Sequence, residues 1–406
     1  VRAAVVGGGL SGLAAALELV DAGHDVTVYE ARPTLGGKVQ TLPEREGDPS
    51  PPPDNGQHIA LACFDEYLHF LARIGSADRV VRRPLELVVF DERSRPSTVA
   101  YGLTPLLRYA HVPARDRLRI ASLLARFPRL TPGEETFAAF LRRHGQTEAA
   151  IDRFWEVFIR PAVNLRVDEV QARVAWFTVV RGLRSGRAAS DLVLPAAPLG
   201  ELHGEAAGRA LRAAGAAVEL GVRVDELDAL GADGVVVALP PDEAARLLGE
   251  AWAWEYSPIV SVHVLFDRQL LEPQMAALLG SHAHWVFDRG ALTGHLPERG
   301  QYLTVVSSGA PELLALRGRE LVDAVAGELT ERFGGAELLW SRVSREPEAT
   351  VAVRPGVSVP ELERGAVAVA GAWTALPWPP TMESAVRSGR RAARAILAGA
   401  TTKVAA

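Results

Sequence analysis

Three glycines near the start of the chain, Gly7-x-Gly9-x-x-Gly12, have the spacing that holds a diphosphate. The first permits a tight turn, the second lets backbone approach a pyrophosphate, and the third lets a helix pack closely on a strand. The turn reads Gly7-Gly8-Gly9-Leu10-Ser11-Gly12. The helix after it would offer free N–H groups and a partial positive charge to the phosphates. Glu30 lies 18 residues beyond Gly12. A carboxylate there can accept both hydroxyls of a ribose, which disfavours a 2′-phosphorylated nucleotide. A glycine triplet alone is weak evidence. Flanking strands, Ala16, Gly23 and Glu30 make it specific.

These residues need a frame. Ala3 to Val6 reads as a buried strand, Leu13 to Ala22 as a helix stopped by Gly23, and Asp25 to Tyr29 as a second strand ending at Glu30. The apolar run 3–20 could pass for a signal peptide. It divides instead into strand, glycine turn and a helical piece carrying Glu18 and Asp21, the opening of a domain. The Pro-rich stretch 43–53 continues neither element. Apolar spacing predicts helices over 64–75, 114–160, 205–214, 311–333 and 381–397. Strands are expected at 216–220, 234–239 and 366–370, and a second sheet from 258–266, 284–288 and 301–307. Nucleotide-type strands at the start, middle and end predict an α/β fold with a discontinuous, Rossmann-type nucleotide domain (1–62, 188–250 and 355–406). An α+β substrate domain (63–187 and 251–354) would be inserted into it twice.

The 406 residues are 48% hydrophobic and 23% charged, a globular balance with room for two or three domains. Cys63 is the only cysteine, so neither an intramolecular disulfide nor a cysteine-based zinc site can form, no metal is expected, and a reducing cytoplasm fits. A net charge of −5 argues against general nucleic-acid binding. No run of about 18 apolar residues predicts a spanning helix. The charge is uneven. Between Arg73 and Arg187 stand 21 arginines and 12 acids, a net +9, so the rest carries −14. That basic segment is either a solvated helical surface or a contact for anionic membrane headgroups at the inner face of the cell membrane. Within it Ile120, Leu123, Leu124 and Phe127 fall at i, i+3, i+4 and i+7, with Arg115, Arg119 and Arg126 roughly opposite. Such a stripe can lie in a lipid interface or pack on a domain core.

Further motifs extend the nucleotide signature. Glu30-Ala31-Arg32 runs into Leu35-Gly36-Gly37-Lys38, and Asp54-Asn55-Gly56-Gln57-His58 follows the Pro-rich loop. Near the end come Val369-Ala370-Gly371-Ala372-Trp373-Thr374 and Pro380-Thr381-Met382-Glu383-Ser384-Ala385. Together these resemble the extended FAD fingerprint of the amine oxidase and phytoene desaturase superfamily. The resemblance implies a non-covalent FAD, with Gly36, Gly37 and Lys38 beside its pyrophosphate and the 54–58 stretch near the flavin ring. It also implies backbone at Val222, Arg223 and Val224 near the adenine, and the helix after Thr381 aimed at the flavin pyrimidine, where its dipole favours negative charge. Lys38 stands where arginine is usual, which keeps the charge and loses the bidentate geometry. Ala372 replaces a common aspartate, and Trp373 either covers the cofactor or packs in the core. A second strand–glycine–helix unit for NAD(P)H is absent from the sequence.

The stretches 54–61, 160–172, 190–202, 256–267, 284–290, 345–350 and 379–393 narrow the resemblance to the hydroxysqualene dehydroxylase family, the squalene-associated FAD-dependent desaturases. What this implies is reduction of hydroxysqualene to squalene, in hopanoid biosynthesis, with loss of water. The lost hydroxyl is allylic, so its departure leaves a stabilised cation that reduced flavin can quench with hydride. The protein must protonate the leaving oxygen and keep water out. His58 is the first candidate for the acid, with a structural histidine as its other reading. Glu383 is the second, or else it caps a helix. Asp54 would orient the loop, and His284 and Trp285 would line a tunnel or pack in the core. An electron donor is also needed, and no motif identifies it. A carotenoid-type desaturase, an amine oxidase or a non-catalytic FAD-binding protein would share the nucleotide motifs.

Overall fold

The computed structural model describes residues 2–404. Arg2–Val6, Leu10–Asp21 and Asp25–Glu30 form the strand–helix–strand opening, the helix starting three residues earlier than the spacing suggests. Those two strands centre a six-stranded sheet in the order Glu363–Arg364, Val367–Val369, Gly234–Val237, Arg2–Val6, Asp25–Glu30, Ala217–Leu220. All its pairings are parallel except the Glu363–Arg364 edge. The sheet thus draws on the start, middle and end of the chain. Parallel strands buried on both faces explain the continuous apolar runs at Val5 and Val236, while the Asp25–Glu30 strand alternates.

The first and final helices lie side by side on this sheet. Gly389 makes that contact possible: a Cβ there would meet Ser11 O at 2.0 Å. The Asp65–Arg73 helix belongs to the same core, through Tyr67, Phe70 and Leu71. It falls within 63–187, the stretch expected in the other unit, because its apolar face follows the final helix rather than its sequence neighbours.

A second, seven-stranded sheet runs Leu338–Val351, Tyr256–Phe266, Gln301–Ser308, Trp285–Asp288, Met275–Leu278, Glu86–Phe90, Pro96–Ala100. Its pairings are antiparallel apart from Met275–Leu278 with Glu86–Phe90. The 14-residue strand Leu338–Val351 was not foreseen. The helix expected over 311–333 is two, Pro311–Ala315 and Arg319–Phe333, broken at Gly318 with φ +55°. Among the described residues, no helix is long and apolar enough to cross a membrane.

The stripe on the Ala114–Arg126 helix is core. Ile120, Leu123 and Phe127 are fully buried, Leu124 packs beside them, and the Phe127 ring stacks on Trp155 at 5.7 Å. The interfacial reading of this stripe is therefore corrected. Its apolar side is already covered by the helices over 137–163.

Candidate active site

A cavity of about 580 Å³ lies between the two sheets. Its floor is the glycine turn. Gly7 sits at φ +108°, and a Cβ there would fall 2.4 Å from Ala238 O. A Cβ on Gly12 would fall 1.8 Å from Gly7 O, so only glycine lets the helix start this close to the strand. Leu10 and Ser11, in the first turn of that helix, line the cavity. Gly36 and Gly37 come up to the turn: Gly36 N–H donates to Gly8 O at 2.8 Å, and a Cβ on Gly37 would meet Gly9 Cα at 3.0 Å. The result is a cradle of closely approaching backbone at a helix N-terminus, which fits a pyrophosphate.

Glu30 ends its strand at the cavity edge, buried to 9% exposure. Its carboxylate is held from two sides, by Gly8 N–H at 2.6 Å and Arg32 N–H at 2.8 Å. Each oxygen keeps a lone pair for a hydroxyl. Lys38 lines the cavity, but its ammonium is engaged by the carbonyls of Glu348 and Ala349 on the long edge strand. Burial lowers its pKa, with Glu346 and Glu348 opposing.

The 54–58 stretch hangs over the cavity from polar ties. Asp54 is buried against Arg289 and accepts from Thr41 Oγ1 at 2.7 Å and Leu199 N–H at 2.9 Å. Asn55 donates to Glu346 at 3.0 Å and accepts from Ser344. Gly56, at φ +81°, turns the chain so that Asn55, Gly56, Gln57 and His58 all line the cavity. His58 Nε2 lies 3.3 Å from Asn55 O. Burial is the largest influence on it and pulls its pKa below the ordinary value, so the ring is neutral near pH 7 with its proton on Nε2 facing that carbonyl.

Glu383 does not reach the cavity. It is fully buried, accepts from Tyr67 N–H at 2.8 Å and Glu66 N–H at 3.3 Å, and pairs with Arg387 at 2.6 Å. It caps the Asp65–Arg73 helix, the capping reading rather than the acid reading. Burial raises its pKa against those donors. Its neighbours Thr381 and Met382 do line the cavity, at the start of the final helix. Gly371 and Trp373 line it too; Trp373 packs on Trp252 and Trp254 and donates to Leu239 O at 3.2 Å.

Five expected cofactor contacts stand back from the cavity wall. Gly12 serves the helix–strand contact. Ala31 follows Glu30 outward. Val222 and Val224 flank Arg223, which is turned to Glu243 at 2.7 Å, while Val222 N–H is spent on Glu30 O at 3.0 Å. Cys63, whose thiol burial pushes up to about 11, does line the cavity, as does Trp285. His284 stands half-buried behind the wall, its Nδ1 accepting from Ser308 N–H at 3.2 Å.

The rest of the wall was not foreseen. Leu87, Phe158, Phe177, Phe287, Val306 and Trp378 make it apolar, and Glu346 and Glu348 add carboxylates from the second sheet. Those two acids stand in the stretch 345–350, which the sequence marks only through its resemblance.

The family model for flavin containing amine oxidoreductases matches residues 10–397. A hydroxysqualene dehydroxylase of Rhodopseudomonas palustris is 28% identical, over 97% of this chain and 98% of that one. A probable zeta-carotene desaturase of Synechococcus elongatus is 24% identical over 98% of each. The solved structure of cyclohexylamine oxidase from Brevibacterium oxydans superposes with a TM-score of 0.75 at 17% identity, over 99% of both chains. That likeness covers both sheets and the cavity between them. The cradle fits the diphosphate of a flavin nucleotide; the family match begins just after Gly9 and takes in Gly12, Glu30, Gly36 and Gly37. The chain belongs to the flavin containing amine oxidoreductases and is a flavin-dependent oxidoreductase.

Proposed function

We propose that the protein binds FAD and reduces hydroxysqualene to squalene. The cavity carries this reading: one end is the nucleotide cradle, and the far walls are large apolar side chains suited to a hydrocarbon chain. The relatives of full length, a hydroxysqualene dehydroxylase and a carotene desaturase by name, support a long isoprenoid as substrate. The nucleotide unit is 1–62, 188–250 and 355–406, with the Asp65–Arg73 helix joined to it; the remainder forms the substrate unit.

Gly7, Gly9 and the helix starting at Leu10 hold the pyrophosphate, and Glu30 takes the ribose hydroxyls. Bound FAD, once reduced, supplies hydride. The other steps belong to the chain. The apolar wall holds the isoprenoid and excludes water, so that the allylic carbon is not recaptured as alcohol. His58, when protonated, gives its proton to the leaving oxygen, which departs as water. Asn55 O holds the His58 ring, and Glu346 holds Asn55.

The test is anaerobic. Reduced protein mixed with hydroxysqualene should reoxidise within single turnovers and release squalene in equal amount. Reoxidation without squalene, or none at all, rejects the reading. Reduction of the oxidised protein by a carotenoid precursor would favour the desaturase instead. Acid precipitation should release FAD into the supernatant.

A further inference from the structure

The basic middle segment loses its apolar stripe to the core, yet it keeps an uncovered surface on the other side. The helices Leu103–Arg108 and Ala114–Arg126 form a hairpin. Arg117 ties them, donating to Leu107 O and to Val112 O at 2.8 Å. Their inner residues Leu106, Ile120 and Leu123 join the core cluster that also contains the cavity walls Leu87 and Phe287. Their outer residues include Leu103 at 59% exposure, Leu107 at 37% and Leu118 at 61%. Of the eight large apolar side chains exposed among the described residues, three stand on this hairpin. Leu103 and Leu107 are one turn apart, and Leu118 lies on the outer face of the second helix between Arg115 and Arg119.

The charges around them have one sign. From 101 to 133 there are six arginines and one acid. That acid, Asp116, is buried and paired with Arg119 at 3.0 Å. Arg108, Arg115 and Arg129 are exposed, and none has a carboxylate partner among the described residues. Leucines standing among arginines, with the one nearby acid of the segment buried, suit a surface that offers hydrocarbon beneath anionic groups. An acidic protein surface would meet the arginines and leave the leucines in water.

We propose that this hairpin docks the protein on an anionic lipid surface, with Leu103, Leu107 and Leu118 entering the acyl boundary and Arg108, Arg115 and Arg129 meeting headgroups. The hairpin's inner face packs on the apolar cluster that walls the cavity, so docking sets lipid against the substrate side of the molecule. The proposal stands apart from the choice of reaction, and its test uses no substrate.

Flavin-loaded full-length protein is sedimented with phosphatidylcholine vesicles, with and without phosphatidylglycerol. The parent should pellet with the anionic vesicles, and less so as salt is raised. The triple variant Leu103→Ser/Leu107→Ser/Leu118→Ser should bind at least about tenfold more weakly, since each leucine buried in lipid is worth roughly a factor of ten. Its melting temperature should match the parent's, because these side chains support no core. A second variant, Arg108→Gln/Arg115→Gln/Arg129→Gln, should lose the salt dependence. A parent that stays in the supernatant at low salt overturns the proposal. So does vesicle binding that survives both variants, or capture by acidic polypeptide that ignores the leucine substitutions.

Discussion

Arg289 is the residue whose loss should separate the loop from the site it builds. Its guanidinium and the Asp54 carboxylate are 2% and 3% exposed and lie against each other; Nη2 also donates to Pro52 O at 3.0 Å. Breaking a buried pair by removing one partner costs about 3–5 kcal/mol, because the other charge stays buried. Asp54 would keep two donors, Thr41 Oγ1 and Leu199 N–H, so the lower end of that range is expected for Arg289→Met, about 3 kcal/mol. Methionine fills much of the space without charge. Urea unfolding of flavin-loaded protein reads the cost directly. The visible spectrum of the flavin, followed on the same samples, should lose its fine structure, since Asp54 leads straight into Asn55 and His58. Pairing the change with Asp54→Asn removes the stranded charge, and the double variant should be more stable than Arg289→Met alone. If Arg289→Met costs less than about 1 kcal/mol, or if the two single effects simply add, the pair does not brace the loop and the argument fails.

Glu30→Ala strands the Gly8 and Arg32 N–H groups and removes the ribose acceptor; FAD affinity should fall by a few kcal/mol, at roughly 1.5–3 per charge-assisted bond, as read by equilibrium dialysis. An unchanged affinity would mean the ribose lies elsewhere. His58→Phe should retain FAD and slow single-turnover reoxidation by about 10²–10⁴-fold. In the parent that rate should rise as pH falls through the lowered His58 pKa, below about 6.5, and the rise should vanish in the variant. His203 and His263 are buried and His284 half-buried, and loss of solvent holds each at about 3. Unfolding returns them to about 6.5, so the unfolded chain binds more protons in mild acid. Stability should therefore be full above pH 6.5 and decline as pH drops toward 3. In His284→Gln, the slope of urea midpoint against pH between 5 and 6 should flatten; the same slope would place the proton uptake elsewhere.

What could be read from the sequence was what local backbone geometry encodes. The glycine turn, Glu30 and the alternation of strand and helix around them are set by residues a few positions apart, and they lie where the spacing puts them. The second sheet was legible only in its interior strands, Tyr256–Phe266, Trp285–Asp288 and Gln301–Ser308, where burial on both sides writes apolar runs. Leu338–Val351 escaped because it is an edge strand. Its one unpaired side tolerates Pro347 and its exposed face carries charge, so it reads as a loop. That strand nonetheless supplies the carbonyls for Lys38 and the carboxylate for Asn55. The acid at the start of the final helix shows the opposite limit. Sequence puts Glu383 beside cavity residues, but its carboxylate serves another helix more than 300 positions away. The apolar stripe at Ile120 carries the same period whether it faces lipid or core. Burial of Ile120, Leu123 and Phe127, with the Phe127 ring stacked on Trp155, decides for core, and the exposed Leu103, Leu107 and Leu118 stand on the hairpin's outer side instead.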